Sequence, residues 1–166
     1  ESALAIAAAV GAEFIRVNIH TGARLTDQGI IEGSAHETLR YRKLLGSQAI
    51  QIFADVDVKH SAPIAARELR VEVEELVSRG GADAVIVTGS GTGAETSLED
   101  LKTVKSAAGA SPVIAGSGVD AKNVSAVLKI ADAVIVGTSL KQDGITTNHV
   151  DPARVTALIT AVRTLG

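Results

Sequence analysis

The segment Phe53-Ala54-Asp55-Val56-Asp57-Val58-Lys59-His60 carries the densest chemistry in the chain. In an extended strand alternate side chains share a face, so Phe53, Asp55, Asp57 and Lys59 fall on one side and Ile52, Ala54, Val56 and Val58 on the other. The apolar side suits packing against helices. The polar side then carries two carboxylates and an ammonium into the interior or its mouth, which is costly unless they pair or bind something. Asp55 with Lys59, or Asp55 and Asp57 sharing a proton, is an acid/base arrangement, with Asp55, Asp57 and Lys59 as the candidate catalytic residues. With His60 nearby the same carboxylates could instead hold a divalent cation, although no second dense ligand motif exists and no metal ligands are assigned. A structural ion-pair layer is the third reading of this strand.

Two Gly-rich turns, Ala115-Gly116-Ser117-Gly118-Val119-Asp120 and Val136-Gly137-Thr138-Ser139-Leu140-Lys141, form the second constellation. Glycine lets a backbone approach an anion closely, exposed amides and the Ser117 and Thr138 hydroxyls can donate to it, and a helix start adds positive potential. Gly116, Ser117, Gly118, Gly137, Thr138 and Ser139 are therefore the expected phosphate contacts. The alternative is that these glycines only make tight strand-to-helix turns. A third turn, Thr88 to Gly93, could cover ligand in the same way, with Thr88 facing it. Arg16 and Asn18 add polar groups to the inward face of an earlier strand, where Arg16 could neutralise Asp55 or Asp57. The polar stretch from His20 to Gly33 is too long for a mere connector and reads as a lid, with Asp27 and Arg24 as its candidate ligand contacts.

Five short apolar runs must position these groups: 14–19, 50–56, 84–87, 112–115 and 133–136. Each reads as a buried parallel strand and is followed by a stretch of helical period, such as Leu98, Leu101, Val104 and Ala108. Ser34 with Glu37 and Thr96 with Glu99 match capping-box spacing, Asp120 reads as an N-cap, and Asp151-Pro152 as an N-cap followed by Pro at the first helical position. The run Gly81-Ala82-Asp83-Ala84-Val85-Ile86-Val87 is echoed by Ile130-Ala131-Asp132-Ala133-Val134-Ile135-Val136, as expected when one βα unit is reused. Turns entering the strands are brief and those leaving them long and Gly-rich. That asymmetry, with no GxGxxG after the first strand, favours the TIM-type (β/α)8 barrel, whose sites lie at the C-terminal ends of the strands, over a dinucleotide-binding sheet. With five strands and a helical start at residues 2–10, the expectation is a single α/β domain over 1–166 forming the C-terminal portion of a barrel, its first units missing.

Composition narrows the classes. The chain has 166 residues with net charge -3, so it is no phosphate-backbone binder, and only Phe14, Tyr41 and Phe53 are aromatic, which leaves no stacking platform for nucleic acid. No apolar run approaches the roughly 20 residues of a membrane span, and there is no signal-peptide pattern. Zero Cys excludes disulfides, thiolate metal sites and a cysteine nucleophile. Two open sheet edges would invite pairing with another chain, so a homo-oligomer is one expected state.

The runs Phe14-Ile15-Arg16-Val17-Asn18, Thr26-Asp27-Gln28-Gly29-Ile30-Ile31-Glu32-Gly33, Leu39-Arg40-Tyr41-Arg42, Phe53-Ala54-Asp55-Val56, Val58-Lys59-His60, Gly116-Ser117-Gly118-Val119 and Val136-Gly137-Thr138-Ser139-Leu140-Lys141, in this order, resemble the BtpA family of barrel proteins. The resemblance implies a ribulose-phosphate-binding-like barrel that binds a phosphorylated small molecule. It also brings two unrelated functional labels, nucleotide hydrolysis and biogenesis of a photosynthetic membrane complex. The first implies a cytoplasmic acid/base hydrolase, the second an assembly factor at a membrane periphery. One departure stands out: Asp57 occupies a position where the family pattern leads one to expect His.

Overall fold

A computed structural model describes residues 2–56, 58, 61–89 and 96–165. Along the chain run α1 (Ser2–Val10), β1 (Phe14–Val17), β2 (Ala23–Thr26), β3 (Gly29–Glu32), α2 (Ala35–Leu44), β4 (Gln51–Val56), β5 (Ser61–Pro63), α3 (Leu69–Ser78), β6 (Ala84–Val87), α4 (Leu98–Ala107), β7 (Val113–Ala115), α5 (Val124–Val127), β8 (Ala133–Val134) and α6 (Pro152–Arg163). Strands β1-β4-β6-β7-β8 form one sheet, every neighbouring pair parallel and in chain order. Sequential parallel order with helical crossovers is the pattern of a barrel wall rather than of a doubly wound sheet, whose strand order reverses at a switch point.

The two faces of the wall differ as the alternation requires. Ala54, Val56, Val85, Val87, Val113 and Ala115 point outward into a core shared with Val73 and Leu76 of α3 and Leu101 and Val104 of α4. Ile15 and Ile52 do the same against Leu4 and Ala7 of α1. Each large side chain sealed there contributes about 1.5–3 kcal/mol. The inward face holds Phe53 packed on Ala84, Ile86 and Ile114, with the Phe14 and Phe53 rings stacked at 4.4 Å.

The echoed Ala-Asp-Ala-Val stretch has a mechanical meaning. Asp83 accepts the Ile52 N–H (2.8 Å) and the Arg42 guanidinium (2.8 Å), while its own N–H donates to the Ile52 carbonyl (2.8 Å). Asp132 repeats the device on Val113 (2.7 Å) with Lys105 as its cation (2.6 Å), and its N–H donates to the Val113 carbonyl (2.8 Å). Each clamp joins the foot of one strand to the next and to the helix before it. Lys105 first, then the Val113 amide, hold the Asp132 carboxyl below its ordinary range. The sign follows: this clamp stabilises above the unfolded carboxylate value near pH 4 and is lost as pH falls toward the lower folded value. Asp132→Ala should cost about 1 kcal/mol at pH 7 and flatten the acid side of the stability profile, measured by urea unfolding at successive pH values.

Four expectations need correction. The His20–Gly33 stretch is not an irregular loop. It contains a hairpin, β2 paired antiparallel with β3 across the tight turn at Asp27-Gln28, and β2 also pairs with β5, giving a second, three-stranded antiparallel sheet. Gly29 sits at φ 99°, a conformation few other residues adopt, and the Thr26 hydroxyl braces the turn by donating to the Gly29 carbonyl (2.9 Å). Ser34 makes no side-chain cap. The cap of α4 is Ser97, which accepts the Asp100 N–H, because the Thr96 hydroxyl is committed to the Ser117 carbonyl (3.0 Å). Before α5, Asp120 accepts from the Lys122 and Asn123 amides and Asn123 takes the cap position. Asp151-Pro152 behaves as read, with Asp151 accepting the Ala153 N–H (2.9 Å).

Candidate functional site

The C-terminal ends of the parallel strands bring most of the sequence candidates to one rim. Arg16 on β1 and Asp55 on β4 face inward from neighbouring strands and form a bidentate pair, Nε to Oδ1 at 2.8 Å and Nη2 to Oδ2 at 2.7 Å. The Asp55 side chain is 2% exposed and that of Arg16 34%. Hydrogen bonding to Asp55 raises the Arg16 pKa above its ordinary value against the opposing cost of burial. Asp57, Lys59 and His60 lie outside the described residues, as do positions 90–95 of the third Gly-rich turn.

Further along the rim the loops after β6, β7 and β8 are laced together. The Gly89 N–H donates to the Ser117 hydroxyl oxygen (2.6 Å), the Thr96 hydroxyl donates to the Ser117 carbonyl (3.0 Å), and the Ser139 hydroxyl donates to the Val119 carbonyl (2.7 Å). Within the middle loop the Asn123 amide donates to the Gly118 carbonyl (2.8 Å) and accepts the Asp120 N–H (2.9 Å). Two of the three hydroxyls expected to grip an anion are thus bound to neighbouring backbone, and Thr138 meets Thr146 at 3.1 Å. The glycines differ in what they do. A Cβ on Gly116 would lie 2.6 Å from Ile86 and 3.1 Å from Thr88, so this glycine lets β7 leave the sheet beside β6. Gly118 holds φ 67°, which disfavours any side chain there. Gly137 has open space around it, with no other atom within 4 Å of an added Cβ. It precedes a single 3-10 turn, Thr138–Leu140, whose first amides have no acceptor inside the turn.

Asp27 departs from this rim. Asp27 sits exposed at the hairpin tip. Asn18, also exposed, lines a cavity of about 310 Å³ between the ends of β1 and β4, the hairpin and the start of α3. Arg24 enters that cavity and pairs with Glu72 at 2.6 Å. The hairpin is pinned at its base by His20, which is buried and whose Nε2 meets the Gly80 carbonyl at 2.8 Å. Its Nδ1 has no hydrogen-bond partner among the described residues. Burial, foremost, lowers the His20 pKa. His20 and Thr96 were missed as site-building residues; the one signal for His20 is a histidine closing a run of strand-forming residues just before a long polar stretch. Among the described residues no cluster of three or more His, Asp or Glu could hold a metal ion.

The BtpA family model matches residues 1–164. The chain belongs to the BtpA family. It is 48% identical over 161 residues to the photosystem I biogenesis protein BtpA of Synechocystis, covering 97% of this chain and 56% of that protein. It is 45% identical to an uncharacterized protein of Pyrococcus abyssi, covering 96% of this chain and 60% of that one. This BtpA-family chain therefore spans between half and two thirds of the length of these relatives. Among solved structures it is similar to phosphoribosyl anthranilate isomerase from Thermus thermophilus (TM-score 0.62, 15% identity, 99% of this chain and 68% of that one). It is also similar to a Schiff-base-forming fructose-1,6-bisphosphate aldolase (TM-score 0.61, 14% identity, 99% of this chain and 62% of that one). At those identities the likeness establishes the fold: the BtpA-family chain is an α/β protein of TIM-barrel type. Among its described residues no helix is long and apolar enough to cross a membrane.

Proposed function

We propose that the chain supplies the last five βα units of an eightfold barrel and binds a phosphorylated small molecule at the C-terminal ends of its strands. In this reading the phosphate lies between Gly116–Gly118 and Gly137–Ser139, and Asp55, Asp57 and Lys59 stand at the reacting end of a hydrolase or other acid/base enzyme. The observation that carries the reading is the lacing of three successive loops by Ser117, Thr96 and Ser139. It holds their backbones in fixed register and leaves the 3-10 turn at Thr138 with amides to offer, so main-chain N–H groups, more than hydroxyls, are the donors. In TIM barrels the loops after the seventh and eighth strands are the usual phosphate cradle, the place β7 and β8 take if three units precede. Both structural neighbours named above carry phosphate in the names of their substrates, which agrees with this reading.

A second reading, an assembly factor that keeps the barrel without catalysis, draws on the name of the Synechocystis relative. The inward Arg16–Asp55 pair, its carboxylate buried, weighs against it, since a scaffold has no need of inward charge. The test is Gly137→Val, which adds a side chain where nothing else lies within 4 Å. Affinity for ribose 5-phosphate and inorganic phosphate should fall at least tenfold with the melting temperature unchanged. Undiminished affinity would remove the phosphate site and leave the assembly reading ahead.

A further inference from the structure

We propose that β3 is the contact between two copies of this chain, each pairing its open edge antiparallel with the other across a two-fold axis through Ile30. The proposal stands apart from the phosphate reading, because it concerns other residues and another partner.

Strand β3 is the outer strand of the three-stranded sheet; among the described residues no strand pairs with its far side, and all four of its residues, Gly29–Glu32, are exposed. An open edge is a template for another strand and is ordinarily guarded by a Lys, a Pro or a bulge. Here the one charge is Glu32, at the strand's end. The hydrogen-bond phase is fixed by the Gly33 N–H, which donates to the Gly22 carbonyl (2.7 Å). Antiparallel pairs alternate between those that exchange bonds and those that do not, so in this register Arg24–Ile31 and Thr26–Gly29 exchange bonds while Leu25–Ile30 and Ala23–Glu32 do not. The N–H and C=O of Ile30 and Glu32 therefore face away from β2, toward the open edge.

A second copy satisfies this edge with the edge itself. Side chains opposite one another in an antiparallel pair share a face, so Ile30 set against Ile30 of the partner subunit makes one apolar strip from Leu25, Ile30 and their two copies. In the separate chain water covers both, Leu25 at 54% exposure and Ile30 at 61%. The ends agree with this register, because the Gln28 amide falls opposite the carboxylate of the partner's Glu32, donor against acceptor. An axis through Ile31 would instead set Glu32 against the partner's Ile30 and break the strip. Further βα units join the parallel wall at β1 or β8, its outer strands, whereas β3 belongs to the other sheet, so completing the barrel does not use this edge.

The chain has no cysteine, so a single introduced thiol reports the axis. Bonded antiparallel partners have Cα atoms about 5.5 Å apart, within disulfide reach, and Ile30→Cys should be captured as a disulfide dimer under mild oxidation. Ile31 and its copy are offset along the strands and stand more than about 7 Å apart, so Ile31→Cys should cross-link at least tenfold more slowly. In sedimentation equilibrium the unaltered full chain should dimerise as its concentration rises. Ile30→Lys, at a side chain already exposed, should raise the dissociation constant about tenfold or more and leave the circular dichroism spectrum unchanged. The proposal is overturned if the unaltered chain stays monomeric, which leaves the edge to an unlike partner, if Ile30→Lys dimerises as well as the parent, or if Ile31→Cys cross-links as fast as Ile30→Cys.

Discussion

Arg16→Met is expected to destabilise the protein by about 2–4 kcal/mol at pH 7, and Asp55→Asn by only about 1 kcal/mol, although the two residues form one ion pair. The asymmetry comes from exposure. Removing Arg16 strands a carboxylate whose side chain is 2% exposed, whereas neutralising Asp55 leaves a guanidinium 34% exposed that water can reach. The figure for Arg16→Met stands toward the low end of what breaking a buried pair costs, because Asp55 has interactions besides those to the guanidinium. Urea unfolding of both variants measures the difference directly; equal losses would show that the pair is screened as a surface pair is. The same two proteins separate the roles open to Asp55. If it moves a proton, Asp55→Asn should lower turnover of a phosphorylated substrate about a hundredfold or more while the fold stays nearly intact. Unchanged turnover would make Asp55 only the residue that orients Arg16.

Parallel strands were legible in the sequence because each is sealed on its helix side and reads as a continuous apolar run, as in Ala84-Val85-Ile86-Val87. The pairing of Arg16 with Asp55 was within reach for a related reason: period-two alternation puts both on the inner face, and neighbouring strands in parallel order bring them together. The hairpin was hidden by its own construction. Its strands expose Leu25, Ile30 and Ile31 and bury Arg24, so its alternation runs against the rule by which strands are recognised, and Thr26-Asp27-Gln28-Gly29 looked like one more polar loop. The start of α4 was misplaced by one residue because the Thr96 hydroxyl is taken by the Ser117 carbonyl, 21 positions away, and nothing local records that commitment. The same holds for the Ser117 hydroxyl, which the Gly89 amide occupies. Spacing identifies the loops that meet at the rim. Which of their polar atoms are left for a ligand depends on contacts between loops, and these exist only once the strands are in register.

Gly33→Ala should cost about 2–3 kcal/mol, a large effect for one methyl group on a surface hairpin. An added Cβ at Gly33 would stand 2.6 Å from the carbonyl carbon and oxygen of His20 and from the Thr21 nitrogen, all of them backbone and unable to swing aside. The Gly33 N–H donates to the Gly22 carbonyl (2.7 Å), so the hairpin closes at this contact, and moving it lifts the arm from His20 and the Gly80 turn. His20 supplies an independent readout. Its folded pKa is lowered, chiefly by burial and further by Arg42, against opposing contributions from the Gly80 carbonyl and Asp83. Above the unfolded histidine value near 6.5 both states are neutral and the stability is complete; as pH falls below it the unfolded chain takes the proton first, and stability is lost. Unfolding free energy of the parent protein should therefore decline as pH falls below about 6.5 in a way that His20→Gln, which keeps a donor for the Gly80 carbonyl, does not. In Gly33→Ala, where the seat of His20 opens to water, that decline should shrink along with the overall loss. A Gly33→Ala protein as stable as the parent, with the same dependence on pH, would mean that the hairpin base yields freely and that His20 does not hold it.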